Sequence, residues 1–330
     1  MFTISTPNDG LIAFEERDII PFDVTISGSN FYEATISTAH IKYQQLDQEN
    51  YSIRHSCYDI KDNLTLHINL NEPWLGFRLI RKKGIRHFSG NKEIKMLQGQ
   101  LNFAYCTNLD NSIELLKGNE YDVLDLYISP EMFYKIATGD KLLKDFMERV
   151  KLGKNVALSE EPFWGNIKVL DTIDYLMRNP NNKMAVEETL RQIAEAAAAP
   201  KPAMQYITEQ HIENLFLVRD EIRNNLTVHT EIEELARKAQ MNVTYFKQMF
   251  YGIFELSPYQ YLLYERMKMA KELLRNDPSL SFTNVAALVG FSSYDNFQRA
   301  FSKKEGKSLT DWRNANDLAA FILSWEMLSA

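Results

Sequence analysis

The chain has 330 residues, of which 45% are hydrophobic and 25% are charged, a composition typical of a globular protein with room for two or three domains. Its formal net charge of −7 argues against a protein whose whole surface coats a polyanion, although a local face can have the opposite sign. The two cysteines have no CxxC or Cys/His spacing, which excludes a disulfide framework and a zinc knuckle and favours a reducing, cytoplasmic setting.

Membrane and targeting signals are not expected. Residues 1–10 are polar and lack the basic-then-apolar pattern of a signal peptide. No apolar run approaches the roughly 20 residues that a membrane-spanning helix requires.

The first 135 residues have the pattern of a β domain. Short alternating runs are separated by turns rich in Asn, Gly and Pro, which predicts an antiparallel sandwich or barrel. The predicted strands include residues 23–26, 64–70, 76–80, 101–106 and 123–128.

A helical period replaces this alternation over residues 136–200. Helices are predicted at residues 141–151, 163–178 and 184–199. The apolar stripes of the last two either pack on the sandwich or pair between two subunits, and both alternatives stay open. We therefore interpret 136–200 as a helical dimerisation or linker region.

A linker and a third, all-α region follow. Pro200 and Pro202 interrupt the helical pattern and predict a linker. Residues 201–330 are predicted to be helical, which makes the whole chain an α+β protein.

Two stretches of the third region repeat one helix-turn-helix pattern, so a single structural unit is used twice. Gly290 suits a left-handed turn after the first helix of the second unit, where the first unit has Gln240. Asn242 and Ser292 are predicted to cap the second helices. The apolar anchors that align the copies are Ala236 with Ala286, Phe246 with Phe297, and Phe250 with Phe301.

The second helix of each unit presents a polar face suited to a DNA major groove. Gln and Arg can read adenine and guanine edges, Asp can accept from cytosine, and Lys303 and Lys304 are placed for phosphates. Any polar helix face resembles such a surface, but two copies in register make that alternative weaker. The predicted DNA-contacting residues are Thr244, Tyr245, Lys247, Gln248 and Tyr251 in the first helix, and Ser293, Tyr294, Asp295, Gln298, Arg299 and Lys303 in the second.

A long helix joins the two units and the region around it is basic. It is predicted from Ser257-Pro258 to about Arg275 and spans roughly 27 Å at 1.5 Å per residue, near the ~34 Å between successive major-groove faces. Residues 237–304 contain ten Lys and Arg against five Asp and Glu.

Candidate ligand sites in the β domain are weaker. The histidines are scattered without a His-x-His pair, so neither a metal nor another cofactor is predicted, and no catalytic constellation is found. The basic run from Arg78 to Arg86 fits a solvated strand edge better than an anion site. Trp74, Arg78 and Tyr105 are the candidates for an effector pocket.

The repeat region resembles the DNA-binding domain of the AraC/XylS family of bacterial transcription regulators. The matching pattern covers about residues 232–313. It includes Leu235-Ala236, Phe246, Phe250, Leu256-Ser257-Pro258-Tyr259, Val285-Ala286, Gly290-Phe291, Phe297, Phe301, Gly306 and Trp312-Arg313. The resemblance implies a promoter-binding activator that contacts RNA polymerase.

Three positions depart from the family pattern. Gln240 and Glu255 stand where Gly is usual, and Leu309 stands where Pro usually follows Ser308. These positions concern turn geometry more than DNA contact. Residues 99–105 and 116–127 resemble, less specifically, the cupin-like sensor domains of the siderophore-type branch of the family.

Three functions follow from these features. The leading one is a non-enzymatic, homodimeric transcription regulator of double-stranded DNA, controlled by a small-molecule effector in residues 1–135. The second is a regulator controlled by a protein partner or by dimerisation alone, and the third is a cupin enzyme fused to a DNA-binding domain.

Overall fold

The computed structural model describes residues 2–70, 72–89, 92–107, 109–199, 206–228 and 230–314. They form two compact units, an N-terminal unit of Met1–Glu213 with Gly252–Glu255 and a C-terminal unit of Asn214–Tyr251 with Leu256–Ala330. The predicted linker at residues 200–202 and the C-terminal residues 315–330 lie outside the described residues. No helix within the described ranges is both long enough and apolar enough to span a membrane.

The N-terminal unit contains two antiparallel sheets. The outer sheet has the order β10-β9-β12-β7-β1-β2, and the central sheet has the order β14-β11-β8-β13-β6-β5-β4-β3, with β15 also paired to β11. The strands are β1 (Phe2–Thr6), β2 (Gly10–Leu11), β3 (Glu15–Arg17), β4 (Asn30–Thr35), β5 (Ala39–Asp47), β6 (Tyr51–Ile60), β7 (Leu64–Leu70), β8 (Trp74–Lys82), β9 (Ile85–Ser89), β10 (Lys92–Met96), β11 (Gln100–Cys106), β12 (Leu109–Leu115), β13 (Glu120–Ile128), β14 (Val156–Ala157) and β15 (Phe163–Trp164).

The central sheet is covered on both faces. On one side it packs against the outer sheet through residues such as Ile41, Val123 and Leu66. On the other side it packs against helices, with Phe77 and Leu124 in that second core. The predicted antiparallel β-sandwich with flanking helices is thus confirmed.

Four helices form the third layer of this unit: α1 (Pro130–Ala137), α2 (Lys141–Lys151), α3 (Ile167–Arg178) and α4 (Lys183–Ala198). The rings of Phe103 on β11, Phe133 on α1 and Phe146 on α2 lie 4.9–5.8 Å apart and join three elements. Leu176 of α3 and Ile193 of α4 are fully buried in the same core. The apolar stripes of α3 and α4 therefore pack within the subunit, on the sandwich.

Two sequence predictions in this unit are wrong. Residues 23–26 do not form a strand; instead the Ile26 amide donates to Gln44 Oε1 (2.7 Å) and the Ile26 side chain is fully buried. The helix predicted from residue 163 begins at Ile167, because Phe163 pairs with β11 and Asn166 caps the helix. Apolar spacing alone does not separate a short buried strand from the first turn of a helix.

The C-terminal unit is helical. Its helices are α5 (Glu209–Asn224, which enters this unit at Asn214), α6 (Ile232–Lys238), α7 (Val243–Phe254), α8 (Pro258–Asn276), α9 (Phe282–Leu288) and α10 (Tyr294–Glu305), and residues 309–314 are also helical. Ser257 and Gln260 form a capping box at the start of α8, as its Ser-Pro sequence predicts.

The long helix α8 contributes to the cores of both helix-turn-helix units. Tyr261, near its start, lies 6.0 Å from the ring of Phe250 in the first unit. Met267 and Leu274, further along, pack in the core of the second unit with Phe297. Leu309, which departs from the family pattern, is also buried in this second core.

The two turns adopt the same geometry despite different residues. Gln240 has φ 58° and Gly290 has φ 85°, both in the left-handed region. The next amides repeat the match, since Met241 N donates to Ala236 O and Phe291 N donates to Ala286 O. Glu255 is left-handed as well, with φ 57°. The positions that depart from Gly therefore keep the conformation that normally favours Gly.

The cap of the second recognition helix is Ser293 and not Ser292, which corrects the sequence prediction. Ser293 Oγ accepts from the Asn296 amide (3.3 Å), as Asn242 Oδ1 accepts from Tyr245 N (2.9 Å) in the first unit. The second turn is one residue longer, so counting from Gly290 placed the cap too early.

Replacing Gln240 with Gly is expected to stabilise α6 and α7 by about 0.5–1 kcal/mol. Relief of the left-handed strain, roughly 1–2 kcal/mol, outweighs the added chain entropy of Gly, roughly 0.5–1 kcal/mol. Hydrogen exchange of the α6 and α7 amides measures the change.

Two reverse substitutions serve as controls. Gly306→Ala, at φ 68° in open space, should cost only the conformational strain, about 1 kcal/mol. Gly290→Ala should cost more, because its Cβ would lie 2.4 Å from Leu226 O. Equal costs for the two, or a loss of stability in Gln240→Gly, would contradict this account.

Candidate nucleic-acid interface and ligand cavity

The first recognition helix, α7, has one buried and one exposed face. Phe246 and Phe250 are fully buried. On the other side, four of the predicted residues are exposed and spaced i, i+3, i+4 and i+7, so they form one stripe. These are Thr244, Lys247, Gln248 and Tyr251, whereas Tyr245 is half-buried at the edge of the stripe.

The second recognition helix, α10, presents a matching face. Its anchors Phe297 and Phe301 are fully buried, and aligning them with those of α7 makes Asp295 equivalent in position to Thr244. By the same alignment, Gln298 is equivalent to Lys247. Asp295, Arg299 and Lys303 are exposed, Gln298 and Tyr294 are half-buried, and Ser293 is exposed with its hydroxyl capping the helix.

Arg299 is held against its own helix. Its Nη2 donates to Asn296 Oδ1 (2.6 Å) and its Nε donates to the Asp295 carbonyl (3.3 Å). These bonds fix the guanidinium towards the start of α10, the end of a recognition helix that enters the groove. Asn296 was not singled out from the sequence, because its role depends on this contact.

Internal ion pairs neutralise some of the positive charges in this region. Lys238 pairs with Glu221 and Glu234, and Lys271 pairs with Glu305. Other cations stack on rings, as Arg266 on Phe291, Arg275 on Trp312 and Lys304 on Tyr264. By contrast, Lys247 and Lys303 are exposed and form no ion pair with the described part of the chain. Lys247 and Lys303 therefore add exposed positive charge, unpaired within the described residues, to the two recognition helices.

Together the two helices offer groups for two kinds of contact. Amide and guanidinium groups can bond base edges, and exposed Lys side chains can meet phosphates. The helix α8 between them has 19 residues and is roughly 28 Å long at 1.5 Å per residue.

The N-terminal unit contains a cavity of about 780 Å³ between its two sheets. Six strands of the central sheet, β5, β6, β8, β11, β13 and β14, contribute residues to one wall, and β7, β9 and β10 form the other. Its polar inner residues include Arg54, Arg78, His87, Asn102 and Asp125, and its apolar ones include Ile68, Trp74, Ile94, Met96 and Tyr127. This volume is in the range of small-molecule sites.

Two of the three predicted effector residues, Trp74 and Arg78, line this cavity. Tyr105 lies on the opposite face of the central sheet, packed against the helix-side core. Strand alternation separates them, since Ala104 lines the cavity while Tyr105 points away from it. His87 and Asp125 were missed because strand pairing, which the sequence does not reveal, brings them to Arg78.

The interpretation of the basic run as a solvated strand edge is wrong for its first two members. The strand β8 lies between β11 and β13 inside the sheet. Arg78 pairs with Asp125 (2.7 Å), and Arg81 lies 3.4 Å from both Asp122 and Asp174. Both Arg side chains are only 18% exposed, and charged groups that lie so far from water need partners of opposite charge.

A buried polar network crosses the helix-side face of the central sheet. Gln44 Oε1 accepts from the Ile26 amide, so its Nε2 faces His55 Nδ1 at 3.0 Å. His55 Nδ1 is then the acceptor, and Nε2–H donates to Asp122 Oδ1 (2.7 Å). Arg81 contacts the same carboxylate, and the network therefore links β5, β6, β13 and β8.

His55, Cys57 and Asp122 are also close enough to hold a metal ion, with ligand atoms within 4.8 Å of one another. Both nitrogens of His55 are already used in the hydrogen bonds with Gln44 and Asp122. Burial, with the nearby Asp122 charge, raises the pKa of Cys57 to about 12, so its thiol is protonated at neutral pH. The hydrogen bonds of these residues therefore explain their arrangement as a structural network.

Residues 235–315 match a family model described as a helix-turn-helix domain. The probable transcriptional regulator LumQ of Photobacterium leiognathi is 30% identical over 117 residues, 34% of this chain and 46% of that protein. The uncharacterised HTH-type transcriptional regulator YdiP of Escherichia coli is 30% identical over 112 residues, 33% of this chain and 37% of that protein. The chain thus matches less than half the length of these curated relatives.

A similar solved structure is the DNA-binding domain of AdpA, a global transcriptional factor, in complex with a target DNA. It is 27% identical, covers 31% of this chain and 91% of that chain, and has a TM-score of 0.29.

Asp122→Asn is expected to destabilise the N-terminal unit by about 2–4 kcal/mol, because it removes the buried charge of Asp122 from the half-buried Arg81 and weakens the hydrogen bond with His55. Glu120→Gln is the matched control on the same strand. Glu120 and its partner Lys82 are 63% and 57% exposed, so the loss should stay below about 0.5 kcal/mol. Denaturant unfolding of both variants measures the difference, and equal losses would contradict a structural role for the network.

Proposed function

Because residues 235–315 match a family model of a helix-turn-helix domain, we propose that this protein is a sequence-specific DNA-binding transcription regulator of the AraC/XylS type. The observation that carries the proposal is the pair of exposed polar stripes on α7 and α10, each backed by two buried phenylalanines. A polar face that is needed only for solubility has no reason to occupy the same positions in both helices, relative to their buried phenylalanines.

Base recognition is assigned to Gln248 on α7 and Arg299 on α10. A Gln side chain bonds adenine through two atoms, and an Arg guanidinium bonds guanine in the same way. Lys247 and Lys303 are assigned to the phosphates, which fix the position of the protein but carry no sequence information.

We further propose that a small molecule controls this activity by binding the cavity of the N-terminal unit. The alternative of control by a protein partner or by dimerisation alone predicts a closed, apolar sandwich. The cavity of about 780 Å³ with a polar inner wall favours the small molecule. An enzyme fused to a DNA-binding domain has less support, since the possible metal ligands His55 and Asp122 are bonded to each other.

We also propose that the protein acts in the cytoplasm as a homodimer, and that it activates transcription by contacting RNA polymerase. The support for this proposal is the resemblance to AraC/XylS regulators. Because α3 and α4 bury their apolar stripes in the sandwich, dimer contacts through this region use their exposed residues, such as Tyr175 and Met184.

Gln248→Ala and Arg299→Ala are each expected to weaken operator binding by about 1–3 kcal/mol and to relax base preference at one position. The measurement is affinity for a selected operator and for single-base variants of it. Lys238→Ala is the matched control: it removes a charge next to α7, but one already paired with Glu221 and Glu234. It should keep affinity within about twofold. Unchanged affinity in both test variants would exclude this assignment of the recognition helices.

A fragment of residues 201–330 is expected to fold and bind the operator without the N-terminal unit. A fragment of residues 228–330, which lacks α5, is expected to fail. The described part of α5 buries Leu215, Phe216 and Val218, and Asn214 Nδ2 donates to the Ala239 carbonyl (3.3 Å) at the first turn. Circular dichroism and a gel-shift assay compare the two fragments. If the shorter one folds and binds as well, α5 is not part of the DNA-binding domain.

A further inference from the structure

The polar wall of the cavity contains an ion pair between two neighbouring strands of the central sheet. Arg78 Nε donates to Asp125 Oδ1 (2.7 Å), and Arg78 Nη2 donates to Asp125 Oδ2 (2.9 Å). This two-point bond holds the guanidinium plane in one orientation. Nη1, the remaining nitrogen, is turned towards the outer sheet, where it lies 3.5 Å from His87 Nδ1.

His87 has a hydrogen-bond donor that the protein does not use. It lines the cavity and is only 6% exposed. Burial and the positive charge of Arg78 lower its pKa well below the usual value, so the ring is neutral. Because Nδ1 faces an N–H donor, the ring proton belongs on Nε2, and Nε2 has no partner among the described residues. Because Nε2 is covered by protein atoms while the ring lines the cavity, an acceptor from the cavity reaches this N–H after a small rotation of the His87 ring.

A second guanidinium, that of Arg54, lies in the same wall. Its Nε donates to Gln45 Oε1 (2.7 Å), and burial lowers the pKa of its guanidinium. The inner wall thus holds two Arg side chains and one carboxylate, that of Asp125. Its net charge is positive.

The rim of the cavity has the opposite sign. Five carboxylates and one ammonium line it, and all six residues are exposed. Exposed charges are screened by water and salt, whereas buried charges act at nearly full strength. The inner wall therefore decides which ligand charge is bound. The rim residues are Asp47, Glu72, Glu93, Lys95, Glu160 and Glu161.

We propose that the cavity binds a small organic acid, with its carboxylate at Arg78, Arg54 and His87 Nε2 and its apolar body against Trp74 and Tyr127. This inference rests on the proposed function in taking the cavity as the effector site. The carboxylate oxygens provide the acceptor that His87 lacks, and the excess positive charge of the inner wall compensates the ligand charge. The aromatic side chains provide the apolar surface that a ligand of this size needs.

The test uses the full chain and three probes of equal size that differ in one group: 3-phenylpropionate, 3-phenylpropan-1-ol and 3-phenylpropylamine. Binding is measured by calorimetry and by fluorescence. We expect the carboxylate to bind at least about tenfold more tightly than either of the others, the difference that a charged hydrogen bond makes. Equal binding, tighter binding of the amine or alcohol, or no binding of the acid would overturn the proposal.

Variants locate the binding mode. His87→Leu removes the Nε2 donor at similar volume and should weaken binding of the acid by about tenfold while leaving the alcohol unchanged. Arg54→Met removes the second guanidinium and gives an independent measurement if the first variant does not fold. Glu120→Gln, at an exposed carboxylate that does not line the cavity, is the control and should change affinity by less than about twofold. Unchanged affinity for the acid in the folded variants would also overturn the proposal.

A gel-shift assay with each probe separates this inference from the proposed function. If the acid binds at His87 but leaves operator affinity unchanged, the ligand class stands and control through this cavity fails. If the amine or alcohol binds in preference and shifts operator affinity, control through the cavity stands and the carboxylate assignment fails.

Discussion

The alternation of side chains along the central sheet governs the N-terminal unit. Successive residues of a strand point to opposite faces, and here both faces are covered. On β11, Phe103 joins the helix-side core while Asn102 and Ala104 line the cavity. The same strands therefore supply an apolar floor for four helices and a polar wall for the cavity. A one-residue shift in register would exchange the two surfaces and destroy both.

This arrangement places the cavity and the helices α3 and α4 on opposite sides of one sheet. A ligand acts on the helices only if it changes the sheet between them, and it can shift a conformation only by its different affinity for two states. The side chains of β8 offer a physical link, because Arg78 faces the cavity while Arg81 reaches Asp174 on α3. A movement of that strand would therefore alter contacts on both faces.

Local patterns predicted much of the fold from the sequence. The alternation over Leu64–Leu70 and the helical period over Lys141–Lys151 predicted both ends of β7 and of α2 correctly. The repeated Phe spacing identified both recognition helices, since those anchors are fixed by contacts inside each unit. The exposed stripe of α7 followed from the same spacing.

Features that depend on distant partners could not be predicted in this way. The apolar pattern around Ile26 predicts a strand because these residues face a core, but the Ile26 amide donates to the side chain of Gln44, 18 residues away. His87 and Asp125 reach Arg78 through strand pairing, and the positive charge of Lys238 and Lys271 is compensated by acids elsewhere in the chain. Composition and residue spacing do not reveal which distant residues pair.

The sharing of α8 between two cores has a consequence for folding. A repeated motif usually suggests two modules that can open one at a time, each with its own stability. Here Tyr261 and Leu274 belong to one continuous helix but to different cores, so opening either module exposes part of the support of the other. Both modules should melt as a single cooperative block, and slow hydrogen exchange in one should be matched in the other. The duplication therefore doubles the number of recognition helices but should leave a single cooperative unit of unfolding.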